Sequence, residues 1–133
     1  MTLSYITSLR NAKLDAITTA CGASALLRIY SGTPPADANT GLSGNTLLAE
    51  LTCNATFAPA ASSGTLTLNA ITADSSADAT ATATFFRILT SGAAVKLQGT
   101  VGAGSGDLSL NTTSIVTGAQ VSCSSFVITA GNP

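Results

Sequence analysis

Side chains able to do chemistry are few in this chain. Its carboxylates are Asp15, Asp37, Glu50, Asp74, Asp78 and Asp107, its thiols are Cys21, Cys53 and Cys123, and it has no histidine. Losing histidine removes the usual general base, and no activated nucleophile or metal cluster takes shape from what remains. Asp74 and Asp78 flank "SSA" and invite a calcium reading, but calcium asks for six to eight oxygens and two carboxylates supply too few. Turn and cap formation is the better account of both. The glycine-rich stretch "GTVGAGSGD" (99–107) resembles a phosphate loop only superficially. No Lys-Ser or Lys-Thr follows it, and "DLSLN" alternates like a strand, so a hairpin connection is expected. Arg28 and Arg87 fall inside strand-like runs, where each can clamp a carboxylate or guard a sheet edge. The expectation is a protein that is not an enzyme, with no cofactor, metal or small-molecule substrate.

The three cysteines are odd in number and far apart, with no Cys-x-x-Cys pair. Two readings stand: reduced, semi-buried thiols packing as small hydrophobes, or a bond between subunits in an oxidising medium.

At 133 residues the chain fits one domain, taken as 1–133, large enough to fold around its own core. Apolar residues make up 45% but aromatic ones only 5%, so the core must be built from small and aliphatic side chains. Charged residues are 8%, against about 25% in a typical domain, and the net charge is −1. Polyanion binding needs clustered cations, so nucleic acid is not an expected partner. Low charge, with a mean hydropathy of +0.42, gives weak electrostatic protection against association. That composition suits a homo-oligomer, or a monomer hydrated through Ser and Thr. Arg10, Asn11, Lys13 and Asp15 interrupt the N-terminal stretch, leaving neither a signal-peptide core nor a membrane span. Synthesis in the cytoplasm and no membrane partner are expected.

Leu3, Ile6, Leu9, Ala16, Ile17 and Ala20 recur near helical spacing and predict one helix over 3–20, with Arg10, Lys13 and Asp15 on its wet face. Thr2 is placed to cap its start, and Gly22 to end it with a left-handed residue. The apolar stripe either packs on its own domain or docks a partner. From residue 24 to 130 the period becomes two, in runs at 25–31, 46–53, 64–70, 80–90, 94–101, 107–111, 113–116 and 119–130. This predicts a mainly β fold, an antiparallel β-sandwich or jelly roll of 7–8 strands behind one N-terminal α-helix. The loop at 32–45 is long and stiffened by Pro34 and Pro35, and reads either as an arm gripping a neighbour or as a solvated loop.

The segment "NAITADSSADATATATFFRI" (69–88) sets Ala79, Ala81 and Ala83 on one strand face and Thr80, Thr82 and Thr84 on the other. Carried onward, that alternation puts Phe85 on the alanine face and Phe86 on the threonine face. Either a β-bulge near the Phe pair shifts the register, or the strand is covered on both sides, one of them by a partner.

The segments "LRIYSGTPPADANT" (27–40) with "LLAEL" (47–51), the 69–88 stretch, and "LQGTVG" (97–102) with "DLSLNTTSIVTGAQVSCSSFVIT" (107–129) together resemble small virion proteins of tailed bacteriophages. "RNAKLDAI" (10–17) is similar too, so the likeness covers nearly the whole chain. The resemblance implies a virion structural protein made in the host cytoplasm. A capsid decoration or cement protein on the capsid surface leads, binding the major capsid protein as a homo-dimer or homo-trimer. A tail or baseplate component is the alternative, and a carbohydrate- or receptor-binding sandwich module a more distant one. The expected interface residues are Leu3, Ile6 and Leu9 on the helix, Pro34 and Pro35 in the loop, and Phe85 and Phe86.

Overall fold

The computed structural model describes residues 3–130; the expected cap at Thr2 lies outside them. One helix, α1 (Thr7–Cys21), precedes nine strands: β1 (Leu26–Tyr30), β2 (Leu47–Thr52), β3 (Thr65–Thr67), β4 (Ala81–Thr82), β5 (Phe85–Leu89), β6 (Val95–Gly102), β7 (Leu108–Ser109), β8 (Ser114–Ile115) and β9 (Val127–Thr129). Each period-two run contains at least one strand, and the run at 80–90 contains two. Residues 119–130 yield only β9, preceded by a single bridge between Asp74 and Val121.

Five strands form the main sheet in the order β2-β1-β5-β6-β7, while β3 pairs with β9 and β4 with β8. All pairings are antiparallel except β6–β7, so the purely antiparallel expectation is corrected at this edge. The expected simple hairpin at 99–107 is a double reversal. Val101 first bridges Gly106 antiparallel, and the chain then turns again so that Val101 and Gly102 run parallel with Leu108 and Ser109. Gly106 makes this possible: it has φ +80, and a Cβ there would lie 2.9 Å from the carbonyl carbon of Val101. Asp107 closes the turn by accepting hydrogen bonds from the Thr100 N–H at 2.9 Å and hydroxyl at 3.0 Å.

A continuous core joins Leu14 and Cys21 of α1 to Leu27, Ile29, Leu48, Leu51, Leu66, Phe86, Ile88, Leu108, Ile115, Val121 and Phe126. Ala77 and Ala83 belong to it and Ala79 and Ala81 pack against it, so the alanine face is the inner one. The switch of sides falls at Ala83–Thr84, just before the Phe pair. Ala83 still donates to Thr113 beside β8, whereas Thr84 donates to Tyr30 of β1. The chain changes sheets there, and the alternation restarts with Phe86 and Ile88 inward.

Candidate functional site

Strand β5 is buried at all five positions, covered on both faces by its own chain. On the inner face Phe86 meets Phe126 edge-on, with ring centroids 5.3 Å apart. On the outer face Phe85 stacks on Tyr30 at 5.2 Å. Register runs unbroken through Phe85 and Phe86 against both β1 and β6. The second strand face is therefore filled without a partner; both phenylalanines are buried, and Phe86 reaches the surface only at the bottom of a groove.

Beside Phe85 the outer face is roofed by the 32–45 loop, which Arg87 holds. Arg87 is only 4% exposed. Among the described residues it makes no salt bridge to a carboxylate, one of the two roles open to it from the sequence. Its Nε donates to Gln98 Oε1 at 2.9 Å, and its terminal nitrogen donates to the carbonyl oxygens of Thr40 and Asp37. Gln98 in turn donates from Nε2 to the Pro35 carbonyl at 2.9 Å. Asp37 folds the loop tip by accepting from the Asn39 and Thr40 amides and the Thr40 hydroxyl. Its carboxyl is held below the usual range by the Thr40 hydroxyl first, with Arg87 a minor contributor. Pro34 is exposed and Pro35 half-buried, so the loop keeps an outward side although its inner side is tied down. Arg28 does find a carboxylate, donating to Glu50 at 2.7 Å on a partly exposed part of the same face.

The helix docks differently from the sequence expectation. It starts at Thr7, so Leu3 and Ile6 precede it, and Gly22 ends it with φ 72, its N–H donating to the Thr18 carbonyl. Leu14 and Cys21 are its buried residues. Two of the three charged residues assigned to the wet face instead fasten it. Asp15 accepts from the Ala61 amide at 2.8 Å and Arg10 donates to the Ala130 carbonyl at 2.6 Å. Asn11 adds a third tie, accepting from the Gly64 amide at 2.8 Å. The third charged residue, Lys13, lies over the Tyr5 ring at 4.5 Å. Ile17 of the apolar stripe packs against the core, whereas its N-terminal members stand outward: Leu3 is 64%, Ile6 74% and Leu9 46% exposed. The sequence named these three residues but not the fastening that exposes them.

The remaining chemistry is quiet. Asp74 accepts from the Glu50 and Ser76 amides, as a turn-forming residue does. Among the described residues no group of three or more His, Cys, Asp or Glu side chains is placed to hold a metal ion. Cys21, Cys53 and Cys123 are free and buried. Burial raises all three thiols, Cys53 to about 11 with its two neighbouring thiols contributing. High thiol pKa and burial together make them poor nucleophiles. No described helix is long and apolar enough to cross a membrane.

A groove of about 280 Å3 lies between β6 and β9, floored by Phe86, Leu97, Phe126 and Ile128. It adjoins a more polar depression lined by Gly104, Ser105, Ser109 and Ser125, and Asp107 and Phe126 line both. Sequence reasoning missed this groove because its walls come from strands about thirty residues apart.

Compared with known proteins, the chain matches no family model, no curated protein and no solved structure.

Proposed function

We propose that this protein is a bacteriophage virion structural protein, and specifically a capsid decoration subunit that binds the assembled lattice of the major capsid protein as a homo-dimer or homo-trimer. The observation that carries the proposal is the outward exposure of Leu3 and Ile6, just before the helix, and of Leu9 in its first turn, beside the Arg10, Asn11 and Asp15 side chains that fasten the helix to the domain. Large aliphatic residues this exposed, clustered within seven positions of the chain, are what a partner would cover. Full burial of such a side chain is worth about 1.5–3 kcal/mol, of which a partner contact gains the share that is still exposed, largest at Ile6 and smallest at Leu9. The sequence likeness to small tailed-phage virion proteins supports the same reading. So does the arrangement of the five-stranded sheet and the helix-backed β3–β9 pair around one core, which we read as sandwich-like.

Such a subunit acts by mass action, favouring the assembled shell because it binds the lattice and not free capsid subunits. Its contacts are then the patch and the outward side of the loop at Pro34. Phe85 and Phe86 drop out, being filled from within.

The test compares shells with and without the protein. Shells lacking it are expected to open at lower temperature and under milder osmotic shock. Equal resistance refutes the cement role, and recovery of the protein in purified tails instead of heads moves it to the tail.

A further inference from the structure

The groove between β6 and β9 is bordered by two strand edges that no other strand pairs, among the described residues, at Gln98 on one side and at Val127 and Thr129 on the other. In β9, the Phe126 carbonyl and the Ala130 amide bond towards β3. Alternation then turns the backbone groups of Val127 and Thr129 away from β3, towards the groove, where no described strand pairs with them. In β6, the Val101 amide donates to Thr84 at the start of β5, whereas the Thr100 amide points the opposite way, to Asp107. Gln98 shares the outward direction of Thr100, and β7 pairs only Val101 and Gly102. Gln98 on one wall and Val127 and Thr129 on the other thus offer amides and carbonyls unpaired among the described residues, above the apolar floor of Phe86, Leu97, Phe126 and Ile128. Asp107 is the one charged residue lining the groove, and its exposed carboxylate binds Thr100 through Oδ2 alone.

We propose that this groove binds an extended peptide segment from another protein, added as a strand along β9, with alternate apolar side chains on the floor and a Lys or Arg at the Asp107 end. Each feature selects part of that occupant. Unpaired strand edges recognise extended backbone, a floor of alternating apolar contacts recognises every second side chain, and the lone carboxylate recognises a cation. The inference does not depend on the virion reading, since it uses a different surface from the helix patch.

The probe is a capped hexapeptide of alternating Thr and Val with a terminal Lys, compared with the same peptide ending in Glu, by amide NMR at low salt. The Lys peptide is expected to shift the amides of Gln98, Val127 and Thr129, and to bind tighter than the Glu peptide by on the order of tenfold. Asp107→Asn should remove that preference. Val127→Pro should abolish binding by removing an outward N–H, which an edge strand tolerates without loss of fold; retained dispersion in its spectrum checks the fold. The proposal is overturned if the peptide leaves those three amides unmoved, if the Lys and Glu peptides bind alike, if Val127→Pro binds normally while folded, or if the shifts track self-association of the protein and not peptide concentration.

Discussion

Loop 32–45 and the start of α1 both lie on the outside of the molecule, and they are held in opposite senses. The loop turns its backbone carbonyls inward, onto the buried guanidinium of Arg87 and the amide of Gln98. The helix turns Arg10, Asn11 and Asp15 inward, onto backbone groups of residues 61–64 and 130, and so leaves Leu3, Ile6 and Leu9 facing water. In one region polar ties complete a fold; in the other they display an apolar surface. The same kind of bond has opposite consequences because strand β5 needs a cover on its second face, whereas the helix already covers the β3–β9 pair and has apolar residues left over.

Removing the strongest tie should separate the two regions most clearly. Arg87→Met strands the carbonyls of Thr40 and Asp37 and the Gln98 side chain, and is expected to cost about 3 kcal/mol in urea unfolding. Amides of the 32–45 loop should lose hydrogen-exchange protection while those of α1 keep theirs; equal loss in both would mean the loop is not a separately held cover. Asp15→Ala should cost less, about 1–2 kcal/mol, by freeing the Ala61 amide and loosening the helix but not the loop.

The thiols provide a reporter of whole-domain opening. Burial places the Cys53 pKa at about 11, above the ordinary value of 9.0, so the folded state keeps its proton where the unfolded state loses it. Stability should therefore be unaffected by this group below about pH 9 and fall as pH rises from 9 towards 11. At pH 8 a thiol reagent should label the three cysteines of wild type and Arg87→Met only through global unfolding. Rapid labelling of folded Arg87→Met would show that the loop and the core open together. The smallest effect on stability belongs to the helix patch. Leu3→Ser and Ile6→Ser should each change unfolding free energy by less than about 0.5 kcal/mol, since little burial is lost, and Leu9→Ser, half-buried in the helix, by about 1 kcal/mol. A larger loss in dilute monomer would show that the patch is part of the fold and not a surface for partners.

Much of the local structure was legible in the chain because it depends on near neighbours. Period-two alternation located every strand region, and Gly22 marked the helix end through its positive φ. The inward alanines at 79, 81 and 83 followed from the same alternation. The rule failed where a partner changes. At Ala83–Thr84 the chain leaves β8 for β1, so alternation carried straight on would put Phe85 and Phe86 on the wrong sides, and the choice between a register shift and a doubly covered strand, left open by the sequence, was not decided by local pattern. The helix start was misjudged for a related reason: apolar spacing pulled Leu3 and Ile6 into it, but side-chain spacing does not report which backbone groups a helix will fasten to.

By itself, then, the sequence determined a mainly β chain with one helix, small-residue strand faces, and a surface poor in charge and reactive groups, because composition and short-range period are properties of adjacent residues. Tertiary structure alone decided that Arg10, Asn11 and Asp15 fasten the helix to distant backbone, that β5 is covered twice by its own chain, and that β6 and β9 share a groove. Those outcomes rest on bonds such as Arg10 to Ala130, Asp15 to Ala61 and Gln98 to Pro35, which join residues 46 to 120 positions apart. A donor's preference for an acceptor is written in its type, but which distant carbonyl arrives beside it is set only when the whole sheet closes.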